Sequence, residues 1–346
     1  MSTLRVLCVG DRFIRAASFA DAARGLASRV GADTVETVEY DSGWPDEPFG
    51  PVDAVREASG DPEVLTPLMG DVDVLLTHLG PVTRGMIEAA PRLRVVGVTR
   101  GGPVNVDLDA AIERGVPVIY LPGRNLGAVA EFVIGTMIAL TRNVGAAAPG
   151  LAAGEWSSRY YRFDLVGPEL RAATVGLVGL GAIGTRVAKL AGAFGSRVLA
   201  YDPFVAGSPN HVELVDLPTL LRSSDVVSLH ARLTPDTRKM FDAAAFAAMK
   251  AGAYFVNTAR GELVDYEALR AALDSGHLRG AALDVFDPEP PAPDDPLLHR
   301  PNVIATPHLA GASVQVAIES VARVVAEVGD YLRDGTITHC ANPHHR

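Results

Sequence analysis

Cysteine is nearly absent from this chain, with only Cys8 and Cys340 among 346 residues. The two lie at opposite ends of the sequence, so the pattern contains neither a disulfide framework nor the paired spacing of a zinc site. Cys8 falls in an apolar, strand-like run, which predicts a small core residue. We therefore expect no bound metal and a reducing environment.

Long hydrophobic runs and an excess of positive charge are also missing. The first residues, MSTLRVLCVGDRFIR, contain too short an apolar run for a signal peptide, and the most apolar helical candidate, 132–140, is far short of a membrane span. The 31 Lys and Arg are outnumbered by 41 Asp and Glu, a net charge of −10, whereas a nucleic-acid partner requires a basic face. The sequence predicts a cytoplasmic protein with neither a membrane nor a nucleic-acid partner.

A glycine-rich turn lies in the middle of the chain, within TVGLVGLGAIGTRVAKLAGAFGSRVLAYDP. Gly179, Gly181 and Gly184 form G-x-G-x-x-G. They follow a predicted strand at 174–178 and precede residues with helical spacing. Such glycines permit a tight turn, backbone approach to a pyrophosphate and close helix packing, and the helix N-terminus attracts the anion. Asp202 ends the next strand, where an acid binds ribose hydroxyls and repels a 2′-phosphate. The pattern predicts a dinucleotide site that favours NAD.

Predicted strands and helices alternate along the chain, which is typical of parallel βαβ units and an α/β fold. The length favours about two domains. Within this pattern we predict helices at 13–29 and 52–58 and a connecting loop at 145–170. The last helix, at 313–332, is predicted to have an apolar face formed by Val314, Ile318, Val321, Val325, Val328 and Leu332.

Two polar residues that could carry chemistry each follow a predicted strand, and ligands collect at the carboxyl ends of strands in open α/β sheets. Arg260 comes just after YFVNT, where a guanidinium can hold a carboxylate in a two-bond fork. The alternative is a surface ion pair with Asp265 or Glu262. His308, in TPH, is the residue type most easily tuned to exchange a proton near neutrality, although a single histidine is often only a loop residue.

Acidic residues cluster at a third strand end, in DVFDPEP. A carboxylate from Asp284, Asp287 or Glu289 can orient an imidazole and raise its pKa, whereas Asp and Pro are also common in turns. Together these groups form a consistent set. The arginine would bind an acid, the histidine would exchange a proton, the carboxylate would orient the histidine, and a nicotinamide would transfer a hydride. Such a set can interconvert a 2-hydroxy acid and a 2-keto acid.

Seven motifs follow one another in order between about 93 and 313: NVDLDAAIERGVPV, LPGRNLGAVAEFVIG, VGLVGLGAIG, SDVVSLH, NTARGELVD, GAALDVFDPEP and PNVIATPHLAG. In this order they resemble the D-isomer-specific 2-hydroxyacid dehydrogenase family, which includes D-3-phosphoglycerate dehydrogenase. The resemblance implies an NAD-dependent enzyme that interconverts a D-2-hydroxy acid and a 2-keto acid. It also implies two doubly wound parallel-sheet domains, a flavodoxin-like outer domain and a Rossmann nucleotide-binding domain, with a cleft between them.

The resemblance assigns roles to individual residues. The catalytic set is the substrate-binding Arg260, the acid/base His308 and its carboxylate partner, which is Glu289 and not Asp287. The residues assigned to NAD binding are Gly179, Gly181, Ala182, Ile183, Gly184, Asp202, Thr258, Ala259, Asp284 and Gly311, with Asp284 at the carboxamide.

One departure from the family pattern is the loop Arg100-Gly101-Gly102-Pro103, where the family often has a glycine-hydrophobic-glycine loop before its N-V-D. In the family this loop offers backbone N–H groups to the substrate carboxylate, so Arg100, Gly101 and Gly102 are assigned to substrate binding. A charge at Arg100 would suit a substrate with a second anionic group, such as phosphate, phosphonate or carboxylate. The alternative is that Arg100 points to solvent. Arg162 is a weaker candidate for the same task.

The family pattern also predicts domain limits and assembly. The outer, substrate domain comprises 1–121 and 315–346, the NAD-binding domain comprises 122–314, and the chain forms a homodimer through the latter. A different class of function stays open, namely an NAD(H)-sensing binding protein like the transcriptional corepressors of the family. The joint presence of Arg260, Glu289 and His308 favours the enzyme.

Overall fold

The computed structural model of the chain describes residues 2–47, 49–207, 209 and 211–342. It divides into two compact units. The first unit is formed by Met1–Arg124 with Ser313–Arg346, and the second by Asn125–Ala312. The substrate-binding and NAD-binding roles predicted for the two domains stay predictions at this point.

The strands are numbered along the chain. They are β1 Thr3–Gly10, β2 Thr34–Asp41, β3 Gly50–Val52, β4 Val55–Ala58, β5 Val74–Thr77, β6 Val95–Val98, β7 Val118–Ile119, β8 Thr174–Val178, β9 Arg197–Tyr201, β10 Val212–Leu214, β11 Val226–Leu229, β12 Ala253–Asn257, β13 Leu278–Leu283 and β14 Val303–Ala305.

The helices are numbered in the same way. They are α1 Ala16–Ala23, α2 Leu26–Val30, α3 Pro62–Leu65, α4 Arg84–Glu88, α5 Leu108–Glu113, α6 Leu126–Thr141, α7 Val144–Ala152, α8 Ala182–Ala193, α9 Leu217–Ser223, α10 Ala243–Ala248, α11 Tyr266–Asp274 and α12 Val314–Asp334. Short 3₁₀ turns cover Thr66–Met69, Ser158–Tyr161, Leu170–Ala172, Gly261–Leu263 and Pro296–His299.

The first unit is built on a five-stranded parallel sheet with the order β2-β1-β5-β6-β7. Its central strands β5 and β6 are buried along their whole length because helices cover both faces, as a parallel sheet requires. Cys8 in β1 is fully buried, as predicted, and burial raises the pKa of its thiol to about 12. The strand order reverses between β1 and β5, so this unit has a topological switch point there.

The second unit is built on a seven-stranded parallel sheet with the order β10-β9-β8-β11-β12-β13-β14. This is the doubly wound arrangement expected of a dinucleotide-binding fold, and its switch point lies between β8 and β11. The long helix α6 packs into the core on one face of the sheet. The prediction of two α/β units with parallel sheets is therefore confirmed.

The helix predicted at 52–58 is wrong. The segment forms an antiparallel hairpin of β3 and β4, with Asp53 in the left-handed region at φ +49° in the turn between them. Val55 and Ala58 of β4 are buried and the residues between them are not, which leaves no continuous helical face. The hairpin lies outside the five-stranded sheet.

Two further predictions need correction. The helix predicted at 13–29 begins only at Ala16, because the Oδ1 atom of Asp11 accepts hydrogen bonds from the amides of Phe13 and Ile14 and forms a turn instead. It also ends at Ala23, and a separate short helix, α2, begins at Leu26. The loop predicted at 145–170 contains the helix α7, which tolerates Pro149 and buries none of its residues.

The apolar face of α12 is covered only in part. Val321, Val325 and Val328 are buried against the first sheet, whereas Val314 is 67% and Ile318 is 65% exposed. Among the described residues no single helix is long and apolar enough to cross a membrane. The helices α6 and α7 meet at a bend of 69°, and only the two together reach the length and apolar composition of a membrane span.

Candidate active site

The glycine turn after β8 has the tight geometry that its sequence predicts. Gly179 adopts φ +98°, and a Cβ atom there would lie 2.7 Å from the backbone of His230. A Cβ atom on Gly184 would lie 2.2 Å from the carbonyl oxygen of Gly179. At Gly181, in contrast, no heavy atom of the described residues lies within 4 Å of such a position, apart from its own chain neighbours. The turn is therefore closed on its protein side and open at Gly181, where a ligand can approach the backbone.

The helix α8 begins directly at this opening. Gly181 is its N-cap, and no side chain caps the helix. The N–H groups of Ala182, Ile183 and Gly184 belong to the first turn, which has no intrahelical acceptors. With the helix dipole, these donors form a binding site for an anion such as a pyrophosphate.

Asp202 connects the turn to the end of β9. Its Oδ2 accepts a hydrogen bond from Leu180 N at 2.8 Å, and its Oδ1 accepts one from Phe204 N at 2.9 Å. Each carboxylate oxygen can accept a second bond. The acid is therefore fixed beside the turn with acceptor capacity left for ribose hydroxyls.

The loop after β12 is held by the buried side chain of Asn257. Its Oδ1 accepts from Ala259 N at 3.0 Å, and its Nδ2 donates to the carbonyl of Arg260 at 2.9 Å. Gly261 packs so closely that a Cβ atom would lie 1.9 Å from the carbonyl oxygen of Phe286. This contact joins the Arg260 loop to the DVFDPEP loop after β13.

Arg260 keeps most of its donors available. Its Nη1 donates to the carbonyl of Ala259 at 2.6 Å, and the guanidinium makes no ion pair within the part of the chain that the structure describes. The surface pairing left open by the sequence does not occur: the closest cation to Asp265 is Lys239, and Glu262 approaches Arg238. Arg260 is exposed and free to bind a carboxylate.

His308 and Glu289 form a direct pair, with 2.6 Å between Nδ1 and Oε1. The hydrogen bond that His308 donates to Glu289 raises the pKa of His308 above its ordinary value, against the effect of burial. Burial alone would raise the pKa of Glu289, but the bond and charge of His308 lower it overall. The charge of Arg260 lowers the pKa of both groups, which places the guanidinium near the pair.

The loop that carries His308 is built around the buried side chain of Asp284. Its Oδ1 accepts from Thr306 Oγ1 at 2.6 Å and from Leu309 N at 2.9 Å, and its Oδ2 accepts from Ala310 N at 2.9 Å. His308 itself adopts φ +51°, a left-handed conformation that persists only where the surroundings impose it. Asp284, assigned from the sequence to the cofactor carboxamide, is therefore also the residue that shapes this loop.

The remaining residues assigned to the cofactor line the same edge of the second sheet. The Oγ1 atom of Thr258 is buried and has no hydrogen-bond partner within the described residues. Gly311 packs against Asn125, where a Cβ atom would lie 2.6 Å from its Nδ2. An unpartnered hydroxyl, an open glycine and an uncapped helix N-terminus together fit NAD, whose pyrophosphate and nicotinamide need such groups.

One residue at this edge was not recognised from the sequence. His230 follows β11 directly and lies beside Gly179, and its Nε2 lies 3.1 Å from Ser228 Oγ. Burial lowers its pKa to about 4, so the ring is neutral at physiological pH. The motif SDVVSLH contains it, and its position at the carboxyl end of a strand was the available signal.

The substrate residues proposed outside the second unit lie in the loop after β6. Arg100 is paired with Glu57 of β4 at 2.5 Å, and its side chain is 19% exposed, so it does not point freely into solvent. The amides of Gly101 and Gly102 donate no hydrogen bond within the described residues. Arg162, in the second unit, forms an exposed ion pair with Asp164 at 2.7 Å.

Comparison with known proteins agrees with this geometry. Residues 134–310 match the family described as the D-isomer specific 2-hydroxyacid dehydrogenase, NAD binding domain. The chain is 44% identical over 245 residues to a putative 2-hydroxyacid dehydrogenase, YoaD, of Bacillus subtilis, which covers 70% of this chain and 71% of that protein. It is 39% identical over 272 residues to a hydroxypyruvate reductase of Thermotoga maritima, covering 77% and 88%.

A solved structure gives the same result for the fold. The structure of a D-2-hydroxyisocaproate dehydrogenase superposes with a TM-score of 0.79 at 26% identity, covering 98% of this chain and 100% of the other.

Proposed function

Since this chain belongs to the D-isomer-specific 2-hydroxyacid dehydrogenase family and is an NAD-dependent oxidoreductase, we propose that it interconverts small anionic D-2-hydroxy acids and 2-keto acids at Arg260, Glu289 and His308. The observation that carries the proposal is the 2.6 Å pair of His308 and Glu289 beside an unpaired arginine. A histidine with a raised pKa is the group needed to give a proton to a carbonyl oxygen.

The chemistry divides between the cofactor and the protein. The hydride at C2 of the substrate would be supplied by bound NADH in reduction and taken up by bound NAD⁺ in oxidation. In reduction, His308 is protonated and donates its Nε2 proton to the carbonyl oxygen, while Glu289 holds the ring through Nδ1 and stabilises the positive charge. Arg260 binds the substrate carboxylate in a two-bond fork and stabilises the negative charge that develops on the carbonyl oxygen. In oxidation, neutral His308 removes the hydroxyl proton.

We assign the cofactor to the edge formed by the strand ends of the second sheet. The proposed contacts are the pyrophosphate with Gly181 and the first turn of α8, the ribose with Asp202, and the nicotinamide with Thr258. The other members of the proposed set are Gly179, Ala182, Ile183, Gly184, Ala259, Asp284 and Gly311. Asp202 favours NAD because its charge repels a 2′-phosphate.

The proposed substrate contacts are Arg260 and the loop Arg100-Gly101-Gly102. The free amides of Gly101 and Gly102 suit a carboxylate oxygen. We propose a substrate with a second anionic group, such as phosphate, phosphonate or carboxylate. Arg100 can contact that group only in competition with Glu57.

The direct test is a panel of 2-keto acids with and without a second anionic group, with NADH oxidation followed by absorbance. The proposal predicts turnover of at least one member and a product of D configuration. An L product would contradict the assignment. Tight NADH binding without turnover on a broad panel would favour the nucleotide-sensing alternative.

We propose that the chain is a homodimer through its second unit. Supporting this, α7 buries none of its residues, and three aromatic side chains after it are almost fully exposed, namely Trp156 at 88%, Tyr161 at 90% and Phe163 at 94%. Several exposed large apolar side chains in one segment are typical of a protein interface. Replacing Trp156 and Phe163 by Ser should release monomers in light scattering, and an unchanged mass would contradict this interface.

We also propose a cytoplasmic location, where two cysteines without a disulfide framework stay reduced. Fractionation of cells expressing the full chain tests it.

A further inference from the structure

A second cluster of charged and aromatic side chains lies in the first unit, at the carboxyl ends of β1 and β5. Asp11 follows β1, His78 follows β5, and Arg124 is the last residue of that part of the unit. Asp11 Oδ2 lies 2.6 Å from His78 Nδ1, and Arg124 Nη2 lies 3.3 Å from His78 Nε2. Asp11 and His78 are almost completely buried. This is the topological switch point of the first sheet, where doubly wound folds bind ligands.

The directions of the hydrogen bonds in this cluster follow from its chemistry. Asp11 accepts from the amides of Phe13 and Ile14 at 2.9 Å through Oδ1, which leaves Oδ2 for the ring of His78. Its Oδ2 therefore accepts from the N–H at Nδ1 of His78. Burial lowers the pKa of His78 and outweighs the opposite effect of Asp11, so the ring is neutral. Nε2 then carries a lone pair and accepts from Arg124.

The hydrogen bonds of Asp11, His78 and Arg124 hold the Arg124 guanidinium in place but leave one of its nitrogen atoms without an acceptor. The Nη1 atom is buried and has no hydrogen-bond partner within the part of the chain that the structure describes. Burial and the positive charge of Arg100 lower the pKa of Arg124 to about 10, against the opposite effect of the Asp11 charge. A buried N–H group without an acceptor is unfavourable, so a ligand with oxygen acceptors would be bound there.

The local charges specify the sign of that ligand. The Asp11 carboxylate is already shared by two amides and an imidazole, and Glu57 is bound to Arg100. No acidic side chain among the described residues forms an ion pair with Arg124. Arg100 and Arg124 are balanced in number by Glu57 and Asp11, but Nη1 of Arg124 is a charged donor with no acceptor among the described residues, which favours an anionic ligand.

We propose that the first unit contains an anion site in which Arg124 Nη1 binds a carboxylate or phosphoryl group and His78 and Asp11 are positioning residues. The group belongs either to the 2-keto acid, as its second anionic group, or to a separate small anion. The first case rests on the proposed function, whereas the binding itself does not.

Trp44 provides a built-in probe for this site. Its ring centroid lies 5.7 Å from that of His78, and the only other tryptophan is the exposed Trp156. In the full chain carrying Trp156→Phe, titration with inorganic phosphate and with malonate at constant ionic strength should give a saturable change in fluorescence. Chloride at the same ionic strength should give none.

Substitution of Arg124 tests which group binds the anion. In the same background, Arg124→Gln should weaken phosphate binding about tenfold or more, because it removes a charge-assisted bond. The exposed Arg114 of the same unit is the matched control, and Arg114→Gln should leave binding unchanged. If Arg124→Gln does not fold, as judged by circular dichroism, Arg124→Lys keeps the charge without the fork and should still bind less tightly. No saturable signal in the parent, or equal binding by the folded variants, would overturn the proposal.

Kinetics separate the two sources of the anion. If the group belongs to the substrate, Arg124→Gln should raise KM about tenfold or more for 2-oxoglutarate or 3-phosphohydroxypyruvate and leave KM for pyruvate unchanged. If it is a separate anion, phosphate binding is lost while both KM values stay the same. A parent protein that binds phosphate but reduces no 2-keto acid would contradict the proposed function and leave the anion site standing.

Discussion

The backbone N–H of His308 donates to the backbone carbonyl of Asp284 at 2.8 Å, and the Asp284 carboxylate binds the amides of the next two residues. One buried acid therefore holds three consecutive residues of the loop that carries the histidine. The left-handed backbone of His308 is imposed by these bonds. The direction of the imidazole depends on Asp284 as much as on Glu289.

Asp284→Asn tests this dependence. An amide in place of the carboxylate presents an NH₂ group to at least one of the donors Thr306, Leu309 and Ala310, and a buried mispaired group costs about 1–3 kcal/mol. We expect the free energy of unfolding in urea to fall by about that amount and turnover to fall with it. Thr306→Val, which removes one of the three donors, should have the smaller effect. Unchanged stability and turnover in Asp284→Asn would contradict the role given to this acid.

Glu289→Gln tests the electrostatic part of the His308 pair. The amide oxygen can still accept from Nδ1, but the charge that raises the pKa of His308 is lost. Reduction requires protonated His308, so its rate falls as pH rises through that pKa. In the variant this fall should begin at a lower pH than in the parent, as measured from kcat/KM for reduction across pH. Oxidation, which requires neutral His308, should reach its plateau at a lower pH. A fall at the same pH in both proteins would mean that Glu289 does not tune the histidine.

Two glycines of the turn should respond differently to the same change. A methyl group at Gly181 meets no atom within 4 Å among the residues that the structure describes, beyond its chain neighbours, so Gly181→Ala should keep the melting temperature of the parent. It should nevertheless weaken NADH binding about tenfold, because the methyl group occupies the approach of the pyrophosphate.

Gly184→Ala is the matched variant, with a Cβ atom 2.2 Å from a backbone oxygen. We expect a loss of about 1–3 kcal/mol in unfolding free energy from overpacking. Thermal melts and fluorescence titration with NADH measure both effects. Normal NADH affinity in Gly181→Ala would place the pyrophosphate elsewhere.

Much of the fold was predictable because buried parallel strands are short apolar runs separated by helical patterns. The strand at 174–178 has the bounds predicted for it. The segment 41–67 was not predictable in the same way, because its hairpin lies outside the main sheet and only tertiary contacts distinguish it from a short helix. The error concealed Glu57, the partner of Arg100, which sits in that hairpin.

The candidate site was predictable from the sequence only in part, because chemically active residue types could be recognised where predicted strands end. The residue types left the partner of His308 open among three acids, and the family resemblance assigned it to Glu289, which lies within hydrogen-bond distance. The cluster of Asp11, His78 and Arg124 was missed because its members share no local motif. Asp11 and His78 are 67 residues apart in the sequence, and His78 and Arg124 are 46 residues apart. Only the meeting of β1 and β5 at one sheet edge brings them together.

The central claim is that His308 transfers the proton in an NAD-dependent reduction. It is tested most directly by the rate of NADH oxidation with a turned-over 2-keto acid in His308→Ala, alongside the dissociation constant for NADH. We predict that turnover falls by about 10²–10⁴-fold, the usual contribution of a general acid, while NADH affinity stays that of the parent. Near-normal turnover in His308→Ala would contradict the account.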